Sequence, residues 1–148
     1  MTTSPGTLCD KPLWHAELQQ WAQRFSPQVL GTRLALLLRQ CPPADANRQA
    51  LLDAIIQQYR QPDEQRRWHI FEQAKKAGFN TATGALALSL FWSAGSMAPE
   101  GLAPVYPQPH LSPQMLQCAL LLCATQLAEN PAEGVQQLIA RATALEVA

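Results

Sequence analysis

Helix punctuation recurs along this chain more regularly than any other pattern, and it leaves little room for strands. Ser26-Pro27, Asp45 with Asn47, Asp63, Thr81, Ser112-Pro113 and Asn130-Pro131 each set a side-chain oxygen ahead of a run rich in apolar residues, which in most of the runs return every three or four positions. Such an oxygen accepts from the orphan amides of a first turn, and a proline just after it has its φ pre-set for a helix. The stripes are regular. Trp14, Leu18, Trp21 and Phe25 follow Asp10 and Pro12, while Leu30, Leu34, Leu37 and Cys41 follow Ser26 and stop at Pro42 and Pro43. Behind Asp45 or Asn47, Leu51, Leu52, Ile55, Ile56 and Tyr59 form a buried face, with Gln49, Asp53, Gln57 and Arg60 on the wet side and Pro62 beyond. Asp63 opens a helix that turns Trp68, Phe71 and Ala74 inward and ends at Lys75, Lys76 and Gly78, with cations at the negative end of the macrodipole.

From Thr81 the pattern changes: Leu86, Leu88, Leu90, Phe91 and Trp92 put apolar groups all round the axis, which predicts a central helix packed on several sides. Pro99, Pro104, Pro107 and Pro109 with Gly101 then forbid a helix ladder and predict one long connection between Gly95 and Pro113. Ser112-Pro113 restarts a helix through Ala128, and Asn130, Pro131 and Glu133 match a capping box for the last one. The expected fold is therefore all-α, a single compact domain of about seven helices over residues 10–148 behind a flexible arm at 1–9. Antiparallel hairpins gather around helices at 82–93 and 113–128, and the 47% of hydrophobic residues suffices for their core. The matching Ser26-Pro27-Gln28-Val29-Leu30 and Ser112-Pro113-Gln114-Met115-Leu116 suggest a duplicated hairpin, although Ser-Pro openings are also common in unrelated helices.

Chemistry is harder to find. Met1–Gly6 has no basic stretch leading into an apolar one, so the expectation is a cytoplasmic protein. Gly84–Trp92 and Met115–Leu127 are apolar but shorter than the roughly 20 residues of a membrane span. Cys9, Cys41, Cys118 and Cys123 form no Cys-x-x-Cys pair, and His15, His69 and His110 are scattered, so neither disulfide, metal nor other cofactor is indicated. Eleven basic residues offset eleven acidic ones, which excludes a general nucleic-acid binder. The charge is nevertheless uneven: residues 24–76 hold nine basic and five acidic groups, net +4, and residues 81–148 hold one and four, net −3. Arg66, Arg67, Lys75 and Lys76 are thus candidate phosphate contacts, against the simpler reading of a solvated helix face. His69 and Glu72, three residues apart on one helix, are the best acid–base pair, but no nucleophile accompanies them. Ser89, Ser93 and Ser96 lack the strand and the Gly-x-Ser-x-Gly turn of a hydrolase. The residues point to a protein that is not an enzyme.

The most informative stretch is Phe91-Trp92-Ser93-Ala94-Gly95-Ser96-Met97-Ala98-Pro99, which runs bulky side chains into the proline-rich connection. Met97, Leu102, Val105 and Tyr106 either lay that connection over the helices as a lid or, with Trp92, form a partner-binding surface. A proline-fixed loop loses little entropy on association, which suits the second role.

On Ala77–Thr81 and Phe91–Pro99 the chain resembles an uncharacterised family of small bacterial all-helical proteins with an Ala-Gly-Phe-(Asp/Asn)-Thr step and a Phe-Trp-Ser-(Gly/Ala)-Gly-Ser-(Leu/Met)-Ala-Pro motif. Ala94 stands where glycine is usual. Members of that family sit among type VI secretion genes, so the resemblance implies a non-enzymatic accessory or adaptor protein that binds a spike, adaptor or effector component, while the balanced charge and the short apolar runs lead us to expect no nucleic acid and no membrane insertion. Two other roles stay open: a ligand-binding domain or enzyme with a pocket near Trp68, His69, Glu72 and Trp92, and an immunity protein for a co-encoded toxin, for which the zero net charge supplies no acidic neutralising face.

Overall fold

Seven helices follow one another in the computed structural model, which describes residues 13–41, 45–99 and 101–145. They are α1 (Leu13–Ala22), α2 (Pro27–Arg39), α3 (Ala46–Arg60), α4 (Glu64–Ala77), α5 (Ala82–Ser93), α6 (Leu111–Leu127) and α7 (Pro131–Ala144). No strand occurs among the described residues, and the chain is the all-α domain that its punctuation predicts. The arm at 1–9, the cap at Asp10, Pro12, and the stop at Pro42 and Pro43 lie outside the described residues.

The caps are made as hydrogen bonds. Ser26 accepts from the Val29 amide at 3.3 Å, Asp45 from Asn47 at 3.2 Å, Asp63 from Arg66 at 2.9 Å, Thr81 from Gly84 at 3.0 Å and Asn130 from Ala132 at 2.8 Å. Each such cap contributes about 1 kcal/mol by removing an orphan donor. Ser112 departs from the expectation. The sixth helix begins at Leu111, behind a His110 that makes no capping bond. Ser112 instead donates to the Ser89 carbonyl at 2.6 Å while Ser89 donates to the Ser112 carbonyl at 2.8 Å, a reciprocal clasp between α5 and α6. The two Ser-Pro openings therefore do different work, and at this point the hairpins are not equivalent.

The central position expected for α5 is observed: every residue from Ala82 to Phe91 is buried, and the helix packs on α6 most extensively and on α2, α3 and α4 besides. Glycine sets two of the closest approaches. A Cβ on Gly84 would stand 2.0 Å from the Gly78 carbonyl oxygen, and one on Gly134 would stand 2.1 Å from that of Ala124, where α7 lies on α6. Consecutive helices α2/α3, α3/α4, α4/α5 and α6/α7 pack as hairpins do, but α1 packs chiefly on α7. There the Trp21 indole donates to the Thr143 hydroxyl at 3.3 Å. Phe25 lies beyond the end of α1, in the turn, and completes the expected stripe by meeting Trp21 edge-on at 5.0 Å.

Charge placement departs furthest from expectation. On α4 the inward face is Arg67, Ile70 and Ala74, while Trp68 and Phe71 are only half-buried. Arg67 belongs to a set of arginines that reach the carbonyl ends of other helices. Arg33 donates to the Ala142 carbonyl at 2.7 Å, Arg48 to those of Leu38 and Cys41 at 3.0 and 2.9 Å, and Arg66 to that of Gln61 at 2.8 Å. Arg67 gives two bonds to the Phe91 carbonyl, at 3.0 and 2.8 Å. A cation at a helix C-terminus meets both unsatisfied carbonyls and the negative end of the dipole. Much of the basic excess of residues 24–76 is thereby committed to holding helix ends, so Arg66 and Arg67 are structural cations rather than the phosphate contacts considered from the sequence.

Candidate partner-binding surface

Ser96 organises the proline-rich connection. Its hydroxyl accepts the amides of Ala98 at 2.9 Å and Val105 at 2.8 Å, and the Met97 amide donates to the Val105 carbonyl at 2.6 Å. The chain between these contacts is tied at its base. Arg67 ties the base to the helices: one Nη2 reaches the carbonyls of Phe91 and Ser96, each at 2.8 Å, while Nη1 meets Glu64 at 3.0 Å and the guanidinium lies 4.0 Å from the Phe91 ring. Arg67 is 4% exposed, and burial pulls its pKa below the ordinary value while the Glu64 carboxylate pulls it back up. Gly95, with φ of +89°, takes the chain past the guanidinium, where a Cβ would stand 2.8 Å from the Arg67 carbon and nitrogen.

The connection does not lie over the core as a lid at its bulky residues. Leu102, Val105 and Tyr106 are 65%, 51% and 67% exposed, whereas Trp92 and Met97 are half-buried at its root. Beside it opens a cleft of about 610 Å³, walled by Tyr59 and Pro62 from the α3–α4 corner, Trp92 and Arg67, and Tyr106, Pro107 and Pro109 from the connection. Of the five residues expected to bind a partner, Trp92 and Tyr106 line this cleft, and Leu102 and Val105 project beyond it.

The other candidates are dispersed. His69 and Glu72 are both exposed, and Trp68 is taken up by an edge-on contact with Phe91 at 4.9 Å and a hydrogen bond to Glu64 at 2.9 Å. None of these three lines the cleft that Trp92 enters, so the four residues do not share a pocket there. Among the described residues no group of three or more His, Cys, Asp or Glu side chains is placed to hold a metal, and no helix is long and apolar enough to cross a membrane. Cys41 and Cys123 are buried and Cys118 half-buried, all as free thiols. A larger, polar cleft of about 870 Å³ lies between the N-terminal end of α3 and the C-terminal end of α4, but its Arg48 is already engaged with helix carbonyls and Thr83.

Sequence reasoning weighed Arg67 only as a phosphate contact or a solvated cation and missed its tie to the Phe91 and Ser96 carbonyls. The signal for Arg67 was present: Arg67, Ile70 and Ala74 are spaced by three and four, as good a stripe as the one through Trp68 and Phe71. Choosing the aromatic stripe assigned the arginine to solvent. Compared with known families, residues 15–146 match a family of unknown function, DUF6931. No curated protein and no solved structure shows a significant match.

Proposed function

The chain belongs to the DUF6931 family, and on that premise we propose that it is a non-enzymatic module that works by binding another protein through the proline-rich connection. One observation carries the reading: three large apolar side chains, Leu102, Val105 and Tyr106, stand in solvent on a segment that Ser96 and Arg67 hold in place. Apolar groups exposed together are a cost to an isolated domain and a benefit to one that covers them. Ordering such a segment ahead of binding removes much of the entropy that association otherwise opposes. The setting we assign is the cytoplasm of a bacterium with a type VI secretion system, where the protein serves as an accessory or adaptor to a spike, adaptor or effector component. That assignment is supported by the resemblance carried on Ala77–Thr81 and Phe91–Pro99.

The test is capture from a bacterium that expresses type VI secretion genes, with tagged wild type beside a Leu102→Asp, Val105→Asp variant whose far-UV circular dichroism matches the wild type. Wild type should recover a secretion component that the variant loses by about tenfold or more, the scale of one central interface contact. Equal recovery by both removes this surface from the account. Recovery of no secretion component by wild type removes the adaptor role.

A further inference from the structure

The first helix is held to the bundle by few groups. Only Leu18, Trp21 and Ala22 of its ten residues are buried, against ten of the twelve in α5. No acidic residue stands in its first turn and no basic one in its last, so no charge of those turns supports its dipole. It is also shorter than the roughly 12–15 residues at which isolated helices become marginal in water, so α1 depends on its packing to stay helical.

That packing contains unmatched polar atoms. Three buried side-chain nitrogens have no hydrogen-bond partner among the described residues, His15 Nδ1, Arg33 Nε and Gln117 Nε2, and all three lie around α1. His15 is on the helix itself, and its Nδ1 is unpaired in either tautomer. Gln117, on α6, lines with His15, Ala22 and Phe25 a cleft of about 520 Å³. Arg33 sets its guanidinium 4.9 Å from the ring of Phe25, which meets Trp21 in the turn after α1. The Arg33 Nη1 is satisfied by the Ala142 carbonyl, but the Nε is not. Each of these atoms is closed off from water as well as from protein, so each is stabilised by an opening that lets water reach it. The cleft adds to this, because side chains bordering it lack packing neighbours on one side.

We propose that α1 is a strap that lifts as a unit from α6 and α7 while α2–α7 stay folded, giving the native protein an open form in which the side of α7 beneath α1 is uncovered. Two sets of groups oppose each other at this helix. Leu18, fully buried, and Trp21, 5% exposed and bonded to Thr143, hold it down. The unmatched nitrogens act in the other direction, and His15, Gln117 and Arg33 regain partners in water once α1 leaves. Segments with few buried contacts open ahead of the global transition, and they are the ones from which moving elements are drawn. The strap is separate in the chain from the proline-rich connection and does not rest on the partner-binding reading.

The experiment is native-state hydrogen exchange of the full chain by ¹⁵N NMR, in a series of urea concentrations below the unfolding transition. The amides of Leu18 to Ala22 should exchange through one common opening with its own urea slope. Relative to intrinsic rates they should exchange at least about tenfold faster than those of Leu86 to Leu90 in α5. Gln117→Met keeps the side-chain length and removes the unmatched amide, so it should slow the α1 amides by about tenfold, the equivalent of one buried polar group left unpaired. Gly84→Ala strains α5 in the closed and open forms alike, so it should speed exchange at Leu86 to Leu90 and leave α1 as it was. Four results each overturn the inference: equal protection of α1 and α5, scattered α1 rates without a urea slope, α1 exchange unmoved by Gln117→Met, or α1 exchange accelerated together with α5 by Gly84→Ala.

Discussion

Replacing Arg67 by alanine removes the donors from two carbonyls at once, those of Phe91 and Ser96, and strips the contact on the Phe91 ring. Hydrogen bonds from a charged group are worth roughly 1.5–3 kcal/mol each, which sums to about 3–6 kcal/mol before any return from no longer burying the cation. That return is real, and breaking a buried ionic contact by deleting one member costs about 3–5 kcal/mol net. For a chain of this size each kcal/mol is worth roughly 2–4 °C, so Arg67→Ala should melt about 10 °C below wild type in thermal circular dichroism. The comparison variant is Glu64→Gln. Glu64 is 65% exposed in its side chain, so its ion pair with Arg67 contributes only about 0–1 kcal/mol and the melting temperature should fall by no more than about 3 °C. Arg67→Lys should fall between, because an ammonium keeps the charge but lacks the planar fork that serves both carbonyls. Hydrogen exchange supplies the local readout: the Met97 and Val105 amides should exchange faster in Arg67→Ala, since the base of the connection loses its tie. An Arg67→Ala protein that melts with wild type, or a Glu64→Gln protein that falls as far as it, would refute the claim that the helix-end bonds and not the ion pair hold this corner.

Further outcomes follow from the packing and from the buried acids. Gly84→Ala and Gly134→Ala each drive a methyl into a backbone carbonyl, which no rotamer change relieves, so urea denaturation should show each losing about 1–3 kcal/mol or more despite the better helix propensity of alanine. Burial pushes the Cys123 thiol up to about 12, so at pH 8 a thiol reagent should leave it unmodified until denaturant is added. Burial also pushes Tyr59 above its ordinary value of 10.0. Both acids hold their protons more tightly folded than unfolded, so their contribution is whole below the unfolded pKa of about 9 for the thiol and 10 for the phenol and is lost as pH climbs beyond. Stability measured by urea titration should therefore be flat in these two groups at neutral pH and fall from about pH 9 upward, by up to about 1.4 kcal/mol per pH unit for each.

The helices were legible because their signals are local. A capping oxygen, a proline at the first helical position and a stripe at spacings of three and four lie within one turn or two of each other, and Ser26, Asp45, Asp63, Thr81 and Asn130 each act where they stand. The failures are of another kind. Ser112 has the look of a cap, but its hydroxyl is drawn off by the Ser89 carbonyl, 23 positions away. Arg67 reads as a surface cation until the C-terminal end of α5 is placed beside it. Long-range partners override local preference where a carbonyl would otherwise be buried unpaired. The connection was located by its prolines, and its four bulky residues were named with Trp92 at the end of α5, but the walls of the cleft were not. Tyr59, Pro62 and Gln58 come from a corner thirty or more positions earlier in the chain, and only packing brings them beside Trp92.

The arginines at the helix ends have a bearing on how this protein can be controlled. A guanidinium keeps its proton at every pH that a living cell reaches, and it is not a substrate for the acyl transfer that neutralises lysine. The ends of α2, α3, α5 and α7 are therefore tethered by charges that acetylation does not discharge. Lysine is present where the bundle does not depend on it, as at the exposed Lys75 and Lys76. A cell that modifies those amines changes the face this molecule shows to others and leaves its scaffold as it was.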